Sequence, residues 1–491
     1  MFDLFSSPPK APERVPTDHV IPVGYFDDTT LYRTFLIYTL FVFDDALDAP
    51  KLRSALEKVV SRPGWNKLGA RIRRNDRGGL EHHIPATFSP ERPAIAYEHV
   101  DFSDTAVEDH PSGSRIPRPP SDGRPAVVGD PDDLHPLVHG SNTPKGLNDF
   151  LYHDRPELGL RIVSFKNSTV IVLYWIHLSF DGGAERYLIE AWMLALQGRD
   201  EEIPNPLAPE DYALESVGKG PTEPYLLHDQ RLSMPSVMFW LAKNFFEMAF
   251  CDKEYRVVCV PAEYLGKLRE KAMAELAAEG TTETSYLSDS DVLIAWATRL
   301  LISHLPKDSK KLVCTQQANE WRTVLKDLIP PDRPFLSNCV GTAVTLMPAQ
   351  DILQRPLGHV ASKFRRAIIE QSSRSQVEAY AQIMRQDPRN KAPPLVGTTS
   401  MLFLSFTNCQ KMNYFGFDIS AAALKPRDTP LLASYVSVLH GPYKFTNGVI
   451  IQGKDAKGNF WLAAYEIKGL WDVIDKNMAA ESAGREHRSK L

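Results

Sequence analysis

Short runs of apolar residues recur along the whole chain, and their composition predicts strands. Residues 31–43 (LYRTFLIYTLFVF) are rich in β-branched and aromatic side chains and predict one long strand. Residues 160–165 and 169–176 predict a hairpin that turns at 166–168. The second half of the chain has further predicted strands at 255–260, 311–317, 339–347, 400–406, 447–452 and 459–465.

Apolar residues at helical spacing predict helices between these strands. Asp48 opens the first helix, in which Leu52, Leu56 and Val59 recur on one face. Similar patterns predict helices at 184–196, 237–250, 262–278 and 288–301. Strands and helices alternate in both halves without an internal repeat, so we expect an α/β protein with two domains that share an interface.

Two segments interrupt this alternation. Residues 102–145 are rich in Pro, Gly, Ser and Asp, and a surface excursion of this length is usually functional or disordered. Residues 199–235 contain several prolines and are typical of a linker. We therefore predict an N-terminal domain over 1–215, a linker over 216–235 and a C-terminal domain over 236–480. Pocket-lining loops are expected within 102–146 and 425–445.

The composition excludes several classes of protein. A length of 491 residues predicts two domains, and a net charge of −5 without a basic stripe argues against a nucleic-acid partner. The five cysteines are widely spaced and lack a C-x-x-C pattern, which predicts neither a metal site nor a disulfide framework. The longest apolar runs are too short to cross a bilayer, so no membrane partner is expected. The first residues do not have the pattern of a secretory signal.

The other end of the chain carries a targeting pattern. Ser489, Lys490 and Leu491 form a terminal S-K-L, which is an address read by the peroxisomal import receptor. The residues before it are polar and predict a flexible tail over 481–491. We therefore expect a peroxisomal location, with a cytoplasmic one as the alternative.

One segment combines a buried strand with residues that can carry out proton transfer. The apolar run 170–176 leads directly to His177, and Asp181 and Gly182 follow four and five positions later. A histidine at the end of a rigid strand is well placed to act as a general base. A second H-x-x-x-D spacing begins at His304, but it follows a predicted helix and has no glycine after the aspartate, so we interpret His304 as a helix-terminal residue.

Several separated stretches between about residues 20 and 475 together resemble one family, the BAHD-type acyl-CoA-dependent acyltransferases. The resemblance is strongest to its fungal secondary-metabolism members, such as trichothecene acetyltransferases. The segment 177–182 resembles the family's H-x-x-x-D-G motif, and 414–418 (YFGFD) resembles a degraded D-F-G-W-G signature. Shorter similarities lie at Leu68–Arg71, Ser288–Trp296, Asn319–Arg322 and Ser337–Val340.

The resemblance implies a fold and a reaction. It implies two chloramphenicol-acetyltransferase-like domains with mixed sheets and an active-site channel at their interface. Acyl-CoA, most simply acetyl-CoA, would enter as a co-substrate from one face, and an acceptor alcohol or amine from the other. No permanently bound cofactor is implied, and family precedent is a monomer.

The resemblance also implies residue roles. His177, with an ordinary pKa of about 6.5, is the expected general base, and Asp181 is expected to pair with Arg322 of the other domain. Phe417 replaces a tryptophan and cannot donate a hydrogen bond, so the candidates for oxyanion stabilisation are Ser405, Thr407 and Asn408. The remaining candidates are the signature residues Gly182, Phe415 and Gly416, and the CoA-binding residues Ser288, Asn338, Lys267, Arg269 and Lys271.

The expected function is O-acylation of a hydroxyl group on a fungal-type secondary metabolite by direct transfer from CoA. Three alternatives remain open. They are N-acylation of an amine, an acyltransferase or cyclase that depends on a carrier protein, and a non-catalytic binding protein with the same fold.

Overall fold

The computed structural model describes residues 10–280, 286–441 and 447–489, and these contain three β-sheets. The strands of these ranges are β1 (His19–Pro22), β2 (Leu36–Phe43), β3 (Arg71–Arg74), β4 (Leu80–Ile84), β5 (Ala96–Phe102), β6 (Ala126–Gly129), β7 (Leu158–Phe165), β8 (Thr169–Ile176), β9 (Lys253–Val260), β10 (Leu312–Glu320), β11 (Val340–Pro348), β12 (Leu402–Asn408), β13 (Tyr435–Gly441), β14 (Gly448–Lys454) and β15 (Phe460–Ile467).

The helices of the same ranges surround the sheets. They are α1 (Ala49–Val60), α2 (His135–Val138), α3 (Leu147–Leu151), α4 (Gly182–Leu196), α5 (Met234–Phe250), α6 (Ala262–Ala278), α7 (Asp289–Leu301), α8 (Ala349–Gln354), α9 (Leu357–Gln371), α10 (Arg374–Gln386) and α11 (Leu470–Ser489). None of the helices in these ranges is both long enough and apolar enough to cross a bilayer.

The sheet of the first half has the strand order β13-β2-β8-β7-β5. Strand β8 lies in its centre between two antiparallel neighbours, and all eight of its residues are buried. Helices α1 and α4 cover this sheet and are joined by a hydrogen bond from Trp192 Nε1 to the Leu52 carbonyl (2.9 Å). The strand that leads to His177 is therefore fixed on every side.

The sheet of the second half has the order β11-β10-β12-β14-β15-β9-β6. Most of its pairs are antiparallel, but β12 runs parallel to both β10 and β14. Helices α6, α7 and α9 pack on it around side chains such as Leu268, Trp296 and Phe364. The expectation of an α/β fold with mixed sheets is confirmed.

Each half of the chain gives one strand to the other half's sheet, which the sequence did not predict. Strand β6 pairs with β9, and β13 pairs with β2. The prediction of 102–145 as a surface excursion is therefore wrong in part, since it contributes β6 and buried side chains such as Leu134 and Val138. The predicted loop at 425–445 likewise contains β13.

Two other expectations are corrected at the ends of segments. The long strand expected from residue 31 begins only at Leu36, because 31–34 form a turn. The flexible tail expected from 481 is helical to Ser489, since the helix formers at 479–482 extend α11. Lys490 and Leu491 lie outside the described residues. The predicted linker packs on α10, where Arg385 Nε donates to the Val217 carbonyl (2.6 Å).

Candidate active site

His177 is the first residue after β8, and the backbone around it is held on both sides. Its N–H donates to the Phe35 carbonyl (2.9 Å), which extends the pairing of β8 with β2 by one residue. Helix α4 begins five residues later, where the Asp181 side chain caps it by accepting from the Ala184 N–H (3.0 Å). The histidine therefore sits on a short loop between a central strand and a capped helix.

The His177 ring is held against Tyr32, and the residue is partly exposed. The two rings stack with centroids 4.2 Å apart and planes 12° apart. Nδ1 is buried and has no hydrogen-bond partner, whereas the residue as a whole remains partly exposed. Burial lowers the pKa of His177, and its own carbonyl and the nearby Asp181 carboxylate offset this only in part. The ring is therefore neutral at pH 7 and can accept a proton.

Asp181 and Arg322 form a buried, bidentate ion pair between the two halves of the chain. The two Asp181 oxygens lie 2.8 and 3.0 Å from the guanidinium nitrogens, and the Cys339 N–H donates to the same carboxylate (2.8 Å). Burial alone would raise the pKa of Asp181. Arg322 and the hydrogen bonds lower this pKa by more than burial raises it, so the net pKa is below its ordinary value. The Asp181 carboxylate is thus committed to the loop and is not directed at the imidazole.

Asn338 lies beneath the His177 loop, and this corrects its predicted contact with CoA. The residue is 1% exposed. Its N–H and Nδ2 both donate to Asp27 Oδ1 (2.6 and 2.7 Å), and Nδ2 also donates to the His177 carbonyl (2.9 Å). Because both amide protons are used within the protein, Asn338 positions the catalytic loop.

A buried lysine supports the same loop from the other side. Lys67 Nζ donates to Ser337 Oγ (2.7 Å) and to the carbonyls of Leu336 and Ser179. Burial lowers the pKa of Lys67 and raises that of Asp27, while their mutual attraction opposes both shifts. Sequence reasoning missed both residues, because Asp27 lies in no recognised motif and Lys67 directly precedes the Leu68–Arg71 segment without being part of it.

The 414–417 signature contacts the first turn of α4. The Tyr414 hydroxyl donates to the buried Glu185 carboxylate, and burial raises the pKa of Glu185 to about 7. A Cβ atom on Gly182 would lie 3.2 Å from the same hydroxyl, so this glycine leaves room for the tyrosine. Phe415 is buried and stacks on Trp461, Gly416 lies against the Asn413 amide, and Phe417 is half-buried.

The candidates for oxyanion stabilisation lie on β12. Asn408 is committed to local contacts, because its Nδ2 donates to Ser290 Oγ (2.9 Å) and its Oδ1 accepts from the Gln410 N–H (2.9 Å). Thr407 is exposed and Ser405 is half-buried. Within the described residues no hydrogen bond joins these side chains to His177, and an oxyanion role for any of them stays a prediction.

Among the candidates for CoA binding, Ser288 and the side chain of Arg269 lie at the start of α7. Ser288 forms a capping box with Asp291, and Arg269 Nε donates to the Leu287 carbonyl (2.7 Å). Lys267 and Lys271 are exposed on α6, where each pairs with a glutamate one turn away. A role of these residues in binding CoA stays a prediction.

No family model matches the chain, but full-length relatives do. The chain is 36% identical to the transcriptional regulator calD of Penicillium decumbens, over 98% of this chain and 99% of the relative. It is 32% identical to the acetyltransferase adrJ of Penicillium rubens, over 97% of this chain and 98% of that relative. It is 30% identical to the O-acyltransferase pboC of Aspergillus ustus, over 88% and 93%. This chain belongs to the BAHD-type acyltransferase family.

Solved structures of other BAHD-type acyltransferases have the same fold. The TRI101 protein of F. graminearum, solved with coenzyme A and deoxynivalenol, matches with a TM-score of 0.67 and 14% identity over 92% of this chain and 96% of that one. Vinorine synthase matches with a TM-score of 0.61 and 13% identity over 96% and 95%. At these identities the likeness establishes the two-domain fold alone.

The lowered pKa of His177 predicts the acid limit of this acyltransferase. A base loses activity as it becomes protonated, so we expect kcat/KM to fall with pH only below about 6.5, the ordinary histidine value. The measurement is a pH profile of acyl transfer, with the unfolding midpoint recorded at each pH. An acid limb centred above that value, in a protein that remains folded, would contradict the lowered pKa.

A second prediction concerns the role of Asn338 in positioning His177. In N338A the His177 carbonyl loses its donor, and we expect kcat to fall about 10- to 100-fold because the base is displaced, with little change in KM. The matched control is N477A, since the amide of Asn477 donates to Ser303 (2.8 Å) outside this network. Equal kcat values for the two variants would remove the positioning role.

Proposed function

We propose that this protein transfers an acyl group, most simply acetyl, from a CoA thioester to a hydroxyl group of a fungal-type secondary metabolite. The observation that carries the proposal is the imidazole of the partly exposed His177, neutral at pH 7 and fixed on a loop by Asp181 and Asn338. Relatives named as acetyltransferases and O-acyltransferases support the reaction class. TRI101 structures that contain coenzyme A support acyl-CoA as the co-substrate.

The proposed transfer is direct. His177 takes the proton of the acceptor hydroxyl as its oxygen attacks the thioester carbonyl carbon. The tetrahedral intermediate then expels the CoA thiolate, and the protonated imidazole gives its proton to the sulfur. Burial raises the pKa of the neighbouring Cys339 thiol, so a covalent cysteine intermediate is unfavourable. Much of the rate acceleration then comes from holding both substrates beside one base.

Release of CoA tests this proposal. The purified protein is incubated with acetyl-CoA and a thiol-detecting reagent, with a panel of polycyclic alcohols, each paired with its amine analogue. We expect CoA release above the acceptor-free rate and an acetyl ester by mass spectrometry for at least one alcohol. Products formed from the amines alone would favour N-acylation.

The other two alternatives have distinct outcomes in the same assay. Transfer from an acylated carrier protein, but not from acetyl-CoA, would indicate a carrier-dependent enzyme. A non-catalytic role, including the regulatory one in the name of the Penicillium decumbens relative, would give no product with any donor. The net charge of −5 does not favour direct DNA binding, and a base with a depressed pKa favours catalysis.

We also propose that the catalytic unit is a monomer and that Ser489, Lys490 and Leu491 direct it to peroxisomes. A fluorescent protein fused to the N-terminus is expected to mark peroxisomes, and deletion of the last three residues is expected to disperse it. An unchanged distribution after the deletion would refute the address.

A further inference from the structure

Helix α5 exposes a continuous apolar face. Seven of its large apolar side chains are between 47% and 72% exposed. These side chains are Met234, Met238, Phe239, Leu241, Phe245, Phe246 and Phe250. At roughly 200 Å² per side chain of this size, they expose on the order of 800 Å². The largest apolar patch on a typical monomer is about 300–600 Å².

The opposite face of α5 holds the helix on the protein, which fixes the direction of the apolar face. Val237, Trp240 and Asn244 are half-buried at helical spacing. The Trp240 ring packs edge-on against Phe403 of β12 (centroids 5.3 Å apart). Trp240 also packs on an apolar cluster formed mainly by the second half of the chain. The apolar side chains therefore point away from the protein.

The angular width of the apolar face indicates which kind of surface α5 binds. At 100° per residue, the exposed apolar side chains from Leu241 to Phe250 span about 180° of the helix circumference. Packing against another protein element needs a stripe of about 100°. A helix that lies half-immersed in a flat apolar medium needs its whole outer half to be apolar. The wider face therefore suits a lipid surface better than a partner helix.

The charges on α5 agree with this assignment. Its two charged residues are Lys243 and Glu247. Glu247 is half-buried on the protein side, and the exposed Lys243 lies at the margin of the apolar face. A lysine at this position can extend its charge to the headgroups while its methylene groups stay in apolar surroundings. Within α5 the one carboxylate, that of Glu247, is on the protein side.

We propose that α5 binds the protein to the surface of a lipid bilayer, with its outer face at the boundary between headgroups and acyl chains. This inference is independent of the proposed acyl transfer. It revises the expectation of no membrane partner, which rested on the absence of spanning segments. Because apolar area carries the interaction and only one exposed lysine lies beside it, binding depends weakly on lipid charge.

Flotation with phosphatidylcholine vesicles tests the proposal. The full chain is expected to float with the vesicles, and adding 20 mol% phosphatidylserine is expected to change the bound fraction less than about threefold. In F239S/F246S, two phenyl groups leave the interface, and we expect binding to fall about tenfold or more. The matched control is I369S/L424S, which changes two equally exposed apolar residues elsewhere and should bind like the wild type.

Three outcomes would overturn the proposal. The wild type does not float; the two double variants lose binding equally; or the wild type forms a dimer that F239S/F246S dissociates while vesicles have no effect. Thermal unfolding and CoA release in the absence of vesicles should be unchanged in F239S/F246S. If that variant does not fold, F245S/F250S removes the same kind of contact from the other end of the face.

Discussion

Replacing His177 with alanine is expected to lower kcat by about 10²–10⁴-fold, the usual contribution of a general base. His177 is partly exposed and its Nδ1 makes no hydrogen bond, so replacing it costs mainly the stacking contact with Tyr32. The measurement is CoA release at saturating substrates, together with the thermal unfolding midpoint. We expect a large loss of rate in a protein that unfolds at nearly the wild-type temperature.

The chain contains its own control for this variant. His304 has the same H-x-x-x-D spacing, but it lies just after α7, where its Nδ1 shares a hydrogen bond with the Leu301 carbonyl (3.0 Å). H304A should therefore keep the wild-type kcat. A folded H177A protein with full activity would remove His177 from the mechanism, whatever the behaviour of H304A.

Local patterns were sufficient to predict the elements that deliver His177. The apolar run of β8, the hairpin before it and the capped helix after it are each encoded by neighbouring residues, and the structure contains all three. Strands β6 and β13 were missed for the opposite reason. Each is short, and each becomes a strand by pairing with a sheet formed mainly by the other half of the chain.

The residues of the site also divide into those that local patterns predict and those that depend on contacts between distant segments. A family motif placed Asn338 at the site but suggested the wrong partner, because its contacts with Asp27 and His177 depend on how distant segments pack. Asp27 and Lys67 were not predicted, since each is far in sequence from the residues it contacts. Buried charges of this kind can be predicted only when the residues that pair with them are also known.

Breaking the ion pair between Asp181 and Arg322 is expected to have the largest effect on stability. Each residue is 6% exposed, so removing one leaves the other as an unpaired buried charge, which costs about 3–5 kcal/mol. R322A also removes the donors to the Phe335 and Ser337 carbonyls. We expect this loss in the free energy of unfolding, measured by denaturant titration, and inactivity at temperatures where the wild type works.

Conservative variants and an exposed bidentate pair show whether burial is the reason. R322K keeps the charge but cannot form the bidentate contact, so it should fall between R322A and the wild type. In D181N/R322Q neither charge remains. This double variant should therefore lose less stability than the sum of the losses in D181N and in R322Q. Arg199 and Glu202 form an equally bidentate but exposed pair (both distances 2.6 Å), so R199A should change stability little. If R322A and R199A were equally mild, the His177 loop would have to be held by the Asp27, Lys67 and Asn338 contacts alone.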